Sequence, residues 1–293
     1  MNVFTIKDLE NLSGIKAHTI RIWEQRYSFI KPNRTVTNIR NYSDAELRTI
    51  LNVALLNKYG YKISHIDRMT DGEIKEKILS LSQAEAQQER IINELIQLMI
   101  VLDMEKFEAI MDKYIAAKGI EKTITQLIFS FLEKIGILWQ THHVNPAQEH
   151  LVSNLIRQKL MVGIDSVTTS LKVSKTALLF LPEGEHHEIG LLFMHYMLKS
   201  RGVPVIYLGT NVPMKDIEYV VKLRRPDFIY SHLTTVGAKF NFSKFLTEIS
   251  TRLGKQPIVI SGQLTQSWQK KIQPPISFKK SYTEVMEFIS SLR

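Results

Sequence analysis

Residues 176–190 read TALLFLPEGEHHEIG, an apolar run followed by a polar segment with two adjacent histidines. The apolar run predicts a buried strand, and the pattern after Glu188 predicts an amphipathic helix. His187, three residues before Gly190, therefore lies just beyond the carboxyl end of a strand. Open α/β sheets bind their ligands at this position, so we expect a binding site here.

Residues 173–293 repeat the same alternation of apolar strand and helix. Strands are predicted at 177–181, 204–207, 228–231, 258–261 and 276–278, and helices at 188–201, 214–224, 242–253, 265–271 and 283–292. Continuous apolar strands separated by helices indicate a parallel sheet that is covered on both faces. We therefore predict a Rossmann-like (flavodoxin-like) α/β domain over 173–293.

Residues 73–172 have a helical pattern throughout. Apolar residues recur every three or four positions, as in the run from Ile91 to Leu102. A later helix is predicted to begin at Pro146, with Asn145 as its N-cap and Gln148 at its third position. The predicted structure is a four-helix bundle.

Residues 1–72 alternate short helical patterns with polar turns. Thr5 can cap a first helix, and Ser43 with Glu46 forms a capping box for a later one. The polar, β-capable stretch 31–42 between them suits a small wing. The segment is predicted to be an all-α, winged helix-turn-helix head, so the chain as a whole is multidomain.

Composition limits the classes of function. The formal net charge is +9, which favours a polyanionic partner. The chain has no cysteine, so zinc sites with thiolate ligands and iron–sulfur clusters are excluded. Neither a signal peptide nor an apolar run of membrane-spanning length occurs, which predicts a cytoplasmic protein without a membrane partner.

The head carries clustered basic residues and an ordered motif. By charge alone, a solvated basic surface is as good an interpretation as a nucleic-acid interface. The motif residues are Ile6, Leu9, Ser13-Gly14, Thr19-Ile20-Arg21, Trp23-Glu24, Tyr27, Pro32, Arg34, Arg40, Tyr42-Ser43 and Glu46-Leu47. This pattern resembles the winged-helix domain of MerR-type transcriptional regulators.

The resemblance implies double-stranded DNA as the partner, bound by a homodimer or homotetramer at an inverted-repeat operator. It implies that Thr19, Arg21 and Arg26 face the major groove from the recognition helix. Arg34 and Arg40 would contact phosphates or the minor groove from the wing. Trp23 is expected in the core of the head, where an aromatic at this spacing anchors the helix to the wing.

The histidine segment allows several interpretations by itself. It can be a surface loop with incidental histidines, or a ligand site at the end of a strand. A zinc site built from His186, His187, Glu188 and His195 is a weaker alternative, because the spacing matches no usual zinc motif.

Three segments together resemble the cobalamin-binding signature. They are Glu185-x-His187-x2-Gly190, Ser231-x-Leu233 and Ser261-Gly262, and Leu208-Gly209-x3-Pro213 lies where such domains have a loop. The resemblance implies that His187 binds cobalt and Glu185 orients its ring. Gly190 would let the backbone approach the cofactor, Ser231 would bind the nucleotide tail, and Gly262 would make room for it. Glu185 replaces the usual aspartate, and Ser261 replaces a glycine.

An upstream motif, Trp139-x9-Glu149-His150, has two interpretations. Trp139 alone could be ordinary bundle core. The whole motif resembles the helical bundle of adenosylcobalamin photoreceptor regulators of the CarH and LitR type. That resemblance implies that Trp139 packs against the upper axial group and that Glu149 and His150 contact the adenosyl moiety. Gln140 stands where photoreceptors often have a histidine, with His142 and His143 nearby.

These expectations combine in a non-enzymatic transcriptional repressor controlled by adenosylcobalamin, with Gln140 leaving open whether it responds to light or senses B12 without light. One alternative is a cofactor-free MerR-like regulator whose degenerate B12 domain mediates dimerisation or partner binding, which Glu185, Ser261 and Gln140 favour. A second alternative is a corrinoid-binding enzyme subunit, against which the DNA-binding head argues. The predicted domains are 1–72, 73–172 and 173–293.

Overall fold

The computed structural model describes residues 3–140, 145–234 and 240–292, with backbone only for 137–140. The chain forms two compact units, Met1–Leu155 and Ile156–Arg293. The division into three domains, with boundaries after residues 72 and 172, stays a prediction. Within the described ranges, no helix is long and apolar enough to cross a membrane.

The head of the first unit consists of short helices and a two-stranded wing. Its elements are α1 (Ile6–Ser13), α2 (Ala17–Arg26), β1 (Asn33–Arg34), β2 (Arg40–Asn41), α3 (Asp44–Lys58), α4 (Ile63–Ile66) and α5 (Asp71–Ser80). The strands β1 and β2 pair antiparallel, which confirms the wing. Both predicted caps are present, because the Thr5 and Ser43 side chains accept hydrogen bonds from the third residues of α1 and α3.

The bundle follows the head. Its helices are α6 (Ala84–Val101), α7 (Met104–Lys122), α8 (Phe129–Gln140) and α9 (Pro146–Asp165), with a π-helical stretch at Thr123–Ile128. Helix α7 bends at Gly119, which has a φ of 78° that glycine adopts without strain. Phe107 and Phe131 pack edge to face at 5.5 Å in the core. Helix α9 begins as predicted, since Asn145 Oδ1 accepts from the Ala147 amide.

The second unit contains a parallel five-stranded sheet. Its elements are β3 (Ala177–Pro182), α10 (Ile189–Ser200), β4 (Val205–Val212), α11 (Met214–Arg224), β5 (Phe228–His232), α12 (Phe242–Leu253), β6 (Ile258–Ser261), α13 (Gln263–Gln266), β7 (Ile276–Lys279) and α14 (Tyr282–Ser290). The strand order β4-β3-β5-β6-β7 confirms a parallel sheet with helices and is consistent with the predicted Rossmann-like arrangement. Every residue of β3 is buried, as expected for a sheet covered on both faces.

Two local predictions for this unit were wrong. Residues 208–212 form strand rather than loop, because β4 stays paired with β3 through irregular steps at Phe180↔Gly209 and Pro182↔Val212. Gly209 adopts a φ of 83°, which allows the backbone of β4 to follow these irregular steps. The helix predicted at 265–271 is the four-residue α13, where the Thr265 hydroxyl donates to the Gly262 carbonyl and competes with a longer helix.

The topology fixes the position of the candidate site. After β3 the chain continues to α10 and then to β4 on one side, whereas β5 lies on the other side of β3. The carboxyl ends of β3 and β5 therefore flank the switch point of the sheet, where open α/β folds bind ligands. Glu185 to Gly190 follow β3, and Ser231 to Leu233 lie at the end of β5.

Candidate cofactor and nucleic-acid sites

The loop after β3 is held by the end of β4. Gly184 adopts a φ of 87°, and its amide donates to Asn211 Oδ1 at 2.9 Å. The Asn211 amide in turn donates to the Glu185 carbonyl at 3.2 Å. These contacts fix the backbone from which the Glu185 and His187 side chains project.

The Glu185 carboxylate orients the His187 ring. Glu185 Oε1 accepts hydrogen bonds from the amides of His186 and His187, both at 2.8 Å, and lies 2.6 Å from His187 Nδ1. The Glu185 side chain is fully buried, whereas that of His187 is 59% exposed. When Nδ1 donates to the carboxylate, Nε2 carries the lone pair that a metal can use.

Two buried oxygens at this site have no hydrogen-bond partner among the described residues. They are Glu185 Oε2, in the loop after β3, and Ser231 Oγ, near the end of β5. Buried polar atoms in folded proteins almost always have a partner. Their presence at the switch point is what a site for a polar ligand requires.

His232 belongs to the same site and was missed by the sequence analysis. Its Nδ1 lies 2.8 Å from Ser261 Oγ, which is also 2.5 Å from the Tyr230 hydroxyl. Burial lowers the pKa of His232 to about 4, and nearby Glu185 opposes this shift. The available signal was its position as the middle residue of Ser231-x-Leu233.

The two site glycines contact the end of β5. A Cβ at Gly190 would lie 2.2 Å from His232 Cδ2, and one at Gly262 would lie 2.3 Å from the Leu233 carbonyl oxygen. Gly262 also has a φ of 98°, which side chains rarely adopt. The structure therefore brings Glu185, His187, Gly190, Ser231, Leu233 and Gly262 to one edge of the sheet.

The upstream motif is described in part. Glu149 and His150 lie in the first turns of α9, with His150 Nδ1 3.2 Å from Glu149 Oε2, and the Ser153 hydroxyl bonds Glu149 Oε1. Trp139 lies in the last turn of α8, and its side chain lies outside the described part of the chain. His142 and His143 lie outside the described residues.

The zinc alternative finds no support among the described residues, which contain no cluster of three acidic or histidine side chains able to hold a metal. Glu188 instead forms an ion pair with Arg157 and accepts from the Tyr207 hydroxyl at 2.9 Å. His195 stacks on the Tyr207 ring, with 5.1 Å between centroids, and burial lowers the pKa of His195 to about 4.

The helix predicted to face the major groove is α2. Arg21 and Arg26 are exposed on it, and Thr19 is half-buried. Trp23 is 6% exposed and packs edge to face against Phe29, which confirms its predicted place in the core.

The two wing arginines differ. Arg34 is exposed and donates to Asn38 Oδ1 within the wing at 2.8 Å. Arg40 donates from Nε to Glu24 Oε2 at 2.8 Å, and the Tyr42 hydroxyl donates to the other oxygen of Glu24. Burial and the bond to Glu24 raise the pKa of Tyr42. Arg40 thus ties the wing to α2 in the free protein, and its phosphate contact stays a prediction.

Comparison with known proteins finds family matches in the head and in the helical bundle. A family model described as MerR HTH family regulatory protein matches residues 4–73, and one described as B12 binding domain matches residues 91–162. The second match includes Trp139, Glu149 and His150.

Two curated relatives span most of the chain. The HTH-type transcriptional repressor CarH of Myxococcus xanthus is 27% identical over 276 residues, 91% of each chain. The HTH-type transcriptional repressor CarA of the same organism is 27% identical over 259 residues, 88% of this chain and 85% of CarA. Among solved structures, the monomethylamine corrinoid protein of Methanosarcina barkeri matches with a TM-score of 0.54 and 13% identity, covering 70% of this chain and 100% of that one. This last likeness concerns the fold alone.

Replacing Glu24 with Gln is expected to destabilise the head by about 1–3 kcal/mol, because Glu24 is 7% exposed and two donors would lose their charged acceptor. The matched control is Lys58→Gln, which removes the more exposed Lys58–Glu89 pair and should cost less than about 1 kcal/mol. The free energies of unfolding of both variants, measured in urea, check this. Equal losses would contradict a positioning role for Glu24.

Proposed function

Since the chain joins a MerR-type helix-turn-helix domain to a B12-binding domain, we propose that it is a DNA-binding transcriptional repressor controlled by adenosylcobalamin. The observation that carries the proposal is the 2.6 Å contact between buried Glu185 and His187 Nδ1 at the switch point of the sheet. A carboxylate behind an imidazole fixes the ring and raises the basicity of the other nitrogen, which suits a cobalt ligand.

The residues of this edge fit a cobalamin. His187 would bind cobalt through Nε2, and Glu185 would hold the ring in place. Ser231 Oγ, buried and without a partner among the described residues, would bond the nucleotide tail. The proposed site uses cobalt as its metal and requires neither zinc nor an iron–sulfur cluster.

We assign Trp139, Glu149 and His150 to the adenosyl group. The basis is the resemblance of the Trp-x9-Glu-His motif, together with the match of the B12-binding family model to residues 91–162. When bound, adenosylcobalamin supplies a cobalt–carbon bond that light can break. Light would thereby act as the signal that releases the regulator from DNA.

Control of DNA binding then follows from linkage. The cofactor changes DNA affinity only if the DNA-binding state holds it more tightly than the other state does. A homodimer or homotetramer with paired heads would match the half-sites of an inverted repeat. In each head, Arg21, Arg26 and Thr19 would face the major groove, and Arg34 and Arg40 would lie beside the backbone.

One alternative rests on a specific observation. The His232 ring lies against Gly190 and is bonded to Ser261 at the edge where a cofactor tail would enter. This arrangement favours a cofactor-free regulator whose sheet domain docks a protein partner. An absorbance spectrum distinguishes the two functions.

Purified protein incubated with adenosylcobalamin in the dark and desalted should retain the absorbance of the corrinoid. His187→Ala should shift this dark spectrum, because a nitrogen ligand would be lost from cobalt. His186→Ala is the matched control, since it removes an adjacent and equally exposed histidine, and should leave the spectrum unchanged.

No retained absorbance would overturn cobalamin control and leave the cofactor-free regulator. Identical spectra for wild type and His187→Ala would overturn the assignment of the cobalt ligand. Circular dichroism of both variants checks that their folding matches that of the wild type.

For DNA, Arg21→Ala should weaken duplex binding and relax its sequence preference, as expected for a residue that faces the major groove. A fall of about 1 in the slope of log K against log salt, with the sequence preference kept, would identify a phosphate contact instead. Lys255→Ala, which removes an exposed charge from the other unit, should change neither quantity. Titrations at several salt concentrations would contradict the interface if Arg21→Ala and Lys255→Ala behaved alike.

A further inference from the structure

The crevice between the carboxyl ends of β3 and β5 is partly filled by the protein itself. His232, the last residue of β5, projects its ring onto the start of α10, where Gly190 leaves no side chain in the way. A methyl group at residue 190 would lie 2.2–2.8 Å from three ring atoms, so the glycine is needed for this packing. The crevice where a ligand would enter thus contains an imidazole.

Ser261 secures that imidazole. Its hydroxyl lies 2.8 Å from His232 Nδ1 and 2.5 Å from the Tyr230 hydroxyl, which forms a chain of three polar groups across β5 and β6. Ser261 stands where the cobalamin signature has a glycine, and a glycine could not hold the ring. The deviation at 261 and the histidine at 232 therefore act together.

Two oxygen atoms near His232 differ from its ring, because they have no hydrogen bond of this kind within the described part of the chain. Glu185 Oε2 and Ser231 Oγ are buried, and neither has a partner among the described residues. An edge built only to pack would satisfy these atoms, since each lone buried group costs free energy. One side of the crevice is thus prepared for a ligand while His232 occupies the other side.

We propose that His232, held by Ser261, is a gate for the nucleotide tail of cobalamin. The ring must leave the Ser261 hydroxyl and the Gly190 surface before the tail enters, so the closed form competes with binding. The inference rests on the proposed function. The apparent dissociation constant is raised by the inverse of the fraction of molecules that are open.

The proposed gate predicts that a corrinoid with the nucleotide tail and one without it respond differently to the same substitution. Cobinamide, which carries the corrin ring without the nucleotide tail, should bind equally well to open and closed protein. His232→Ala should therefore tighten cobalamin binding by about three- to tenfold, the effect of losing one hydrogen bond, and leave cobinamide binding unchanged. Ser261→Gly, which keeps the ring and removes the latch, should act in the same direction.

The matched control is His195→Ala. His195 is, like His232, a half-buried histidine of low pKa in the sheet unit, but it stacks on Tyr207 rather than on Gly190. This variant should change the affinity for neither corrinoid. Affinities would be measured by titration in visible absorbance, with circular dichroism as the check on folding.

A second measurement does not depend on affinity. In the free protein, the nitrogen-15 resonances of His232 should report a neutral ring with Nδ1 in a hydrogen bond. Saturation with cobalamin should shift these resonances, and saturation with cobinamide should not. His232→Ala serves to assign them.

The outcomes are distinct. Wild-type protein that binds both corrinoids, with no selective gain for cobalamin in His232→Ala or Ser261→Gly, would overturn the gate and leave the proposed function intact. Equal shifts of the His232 resonances with both corrinoids would also overturn it. Failure of all four proteins to bind either corrinoid would overturn the proposed function and the gate together.

Discussion

The carboxylate of Glu185, buried behind an exposed imidazole, is the constraint on which the site depends. Three donors converge on its Oε1 atom, two of them backbone amides of the loop after β3. This single oxygen atom therefore holds both the backbone of the loop and the His187 ring in place. The arrangement lies at the switch point because the strand order puts β4 and β5 on opposite sides of β3. The proposed role of His187 as a cobalt ligand therefore depends on the sheet topology together with one buried carboxyl group.

The sequence predicted the architecture well where periodicity and caps acted together. Thr5, Ser43 and Asn145 each began a helix as expected, and the five strands follow the apolar runs. It failed where tertiary pairing decides the outcome. Residues 208–212 carry a glycine and an asparagine that suggest a loop, yet pairing with β3 extends the strand through them.

The site was predictable in part for the same reason. Glu185, His187 and Gly190 are close in sequence, so their spacing carries the signal. The ring of His232 against Gly190 and its bond to Ser261 join residues that are 42 and 29 positions apart, which no local pattern reveals. The bond between Arg40 and Glu24, which lie 16 positions apart on different elements, was likewise not visible in the sequence, and the contact of Arg40 with phosphates or the minor groove stays a prediction. Ser261, which deviates from the signature, has as its partner His232, which stands at a signature position open to any residue.

The central claim is that a cofactor bound at the sheet sets the affinity of the head for DNA. The most direct test is the dissociation constant for a duplex selected from a random pool, measured in the dark with and without adenosylcobalamin at fixed salt. The account predicts tighter binding with the cofactor by at least about fivefold, which corresponds to about 1 kcal/mol of coupling, and loss of that gain after illumination. Equal affinities, with absorbance showing that the cofactor is bound, would contradict it.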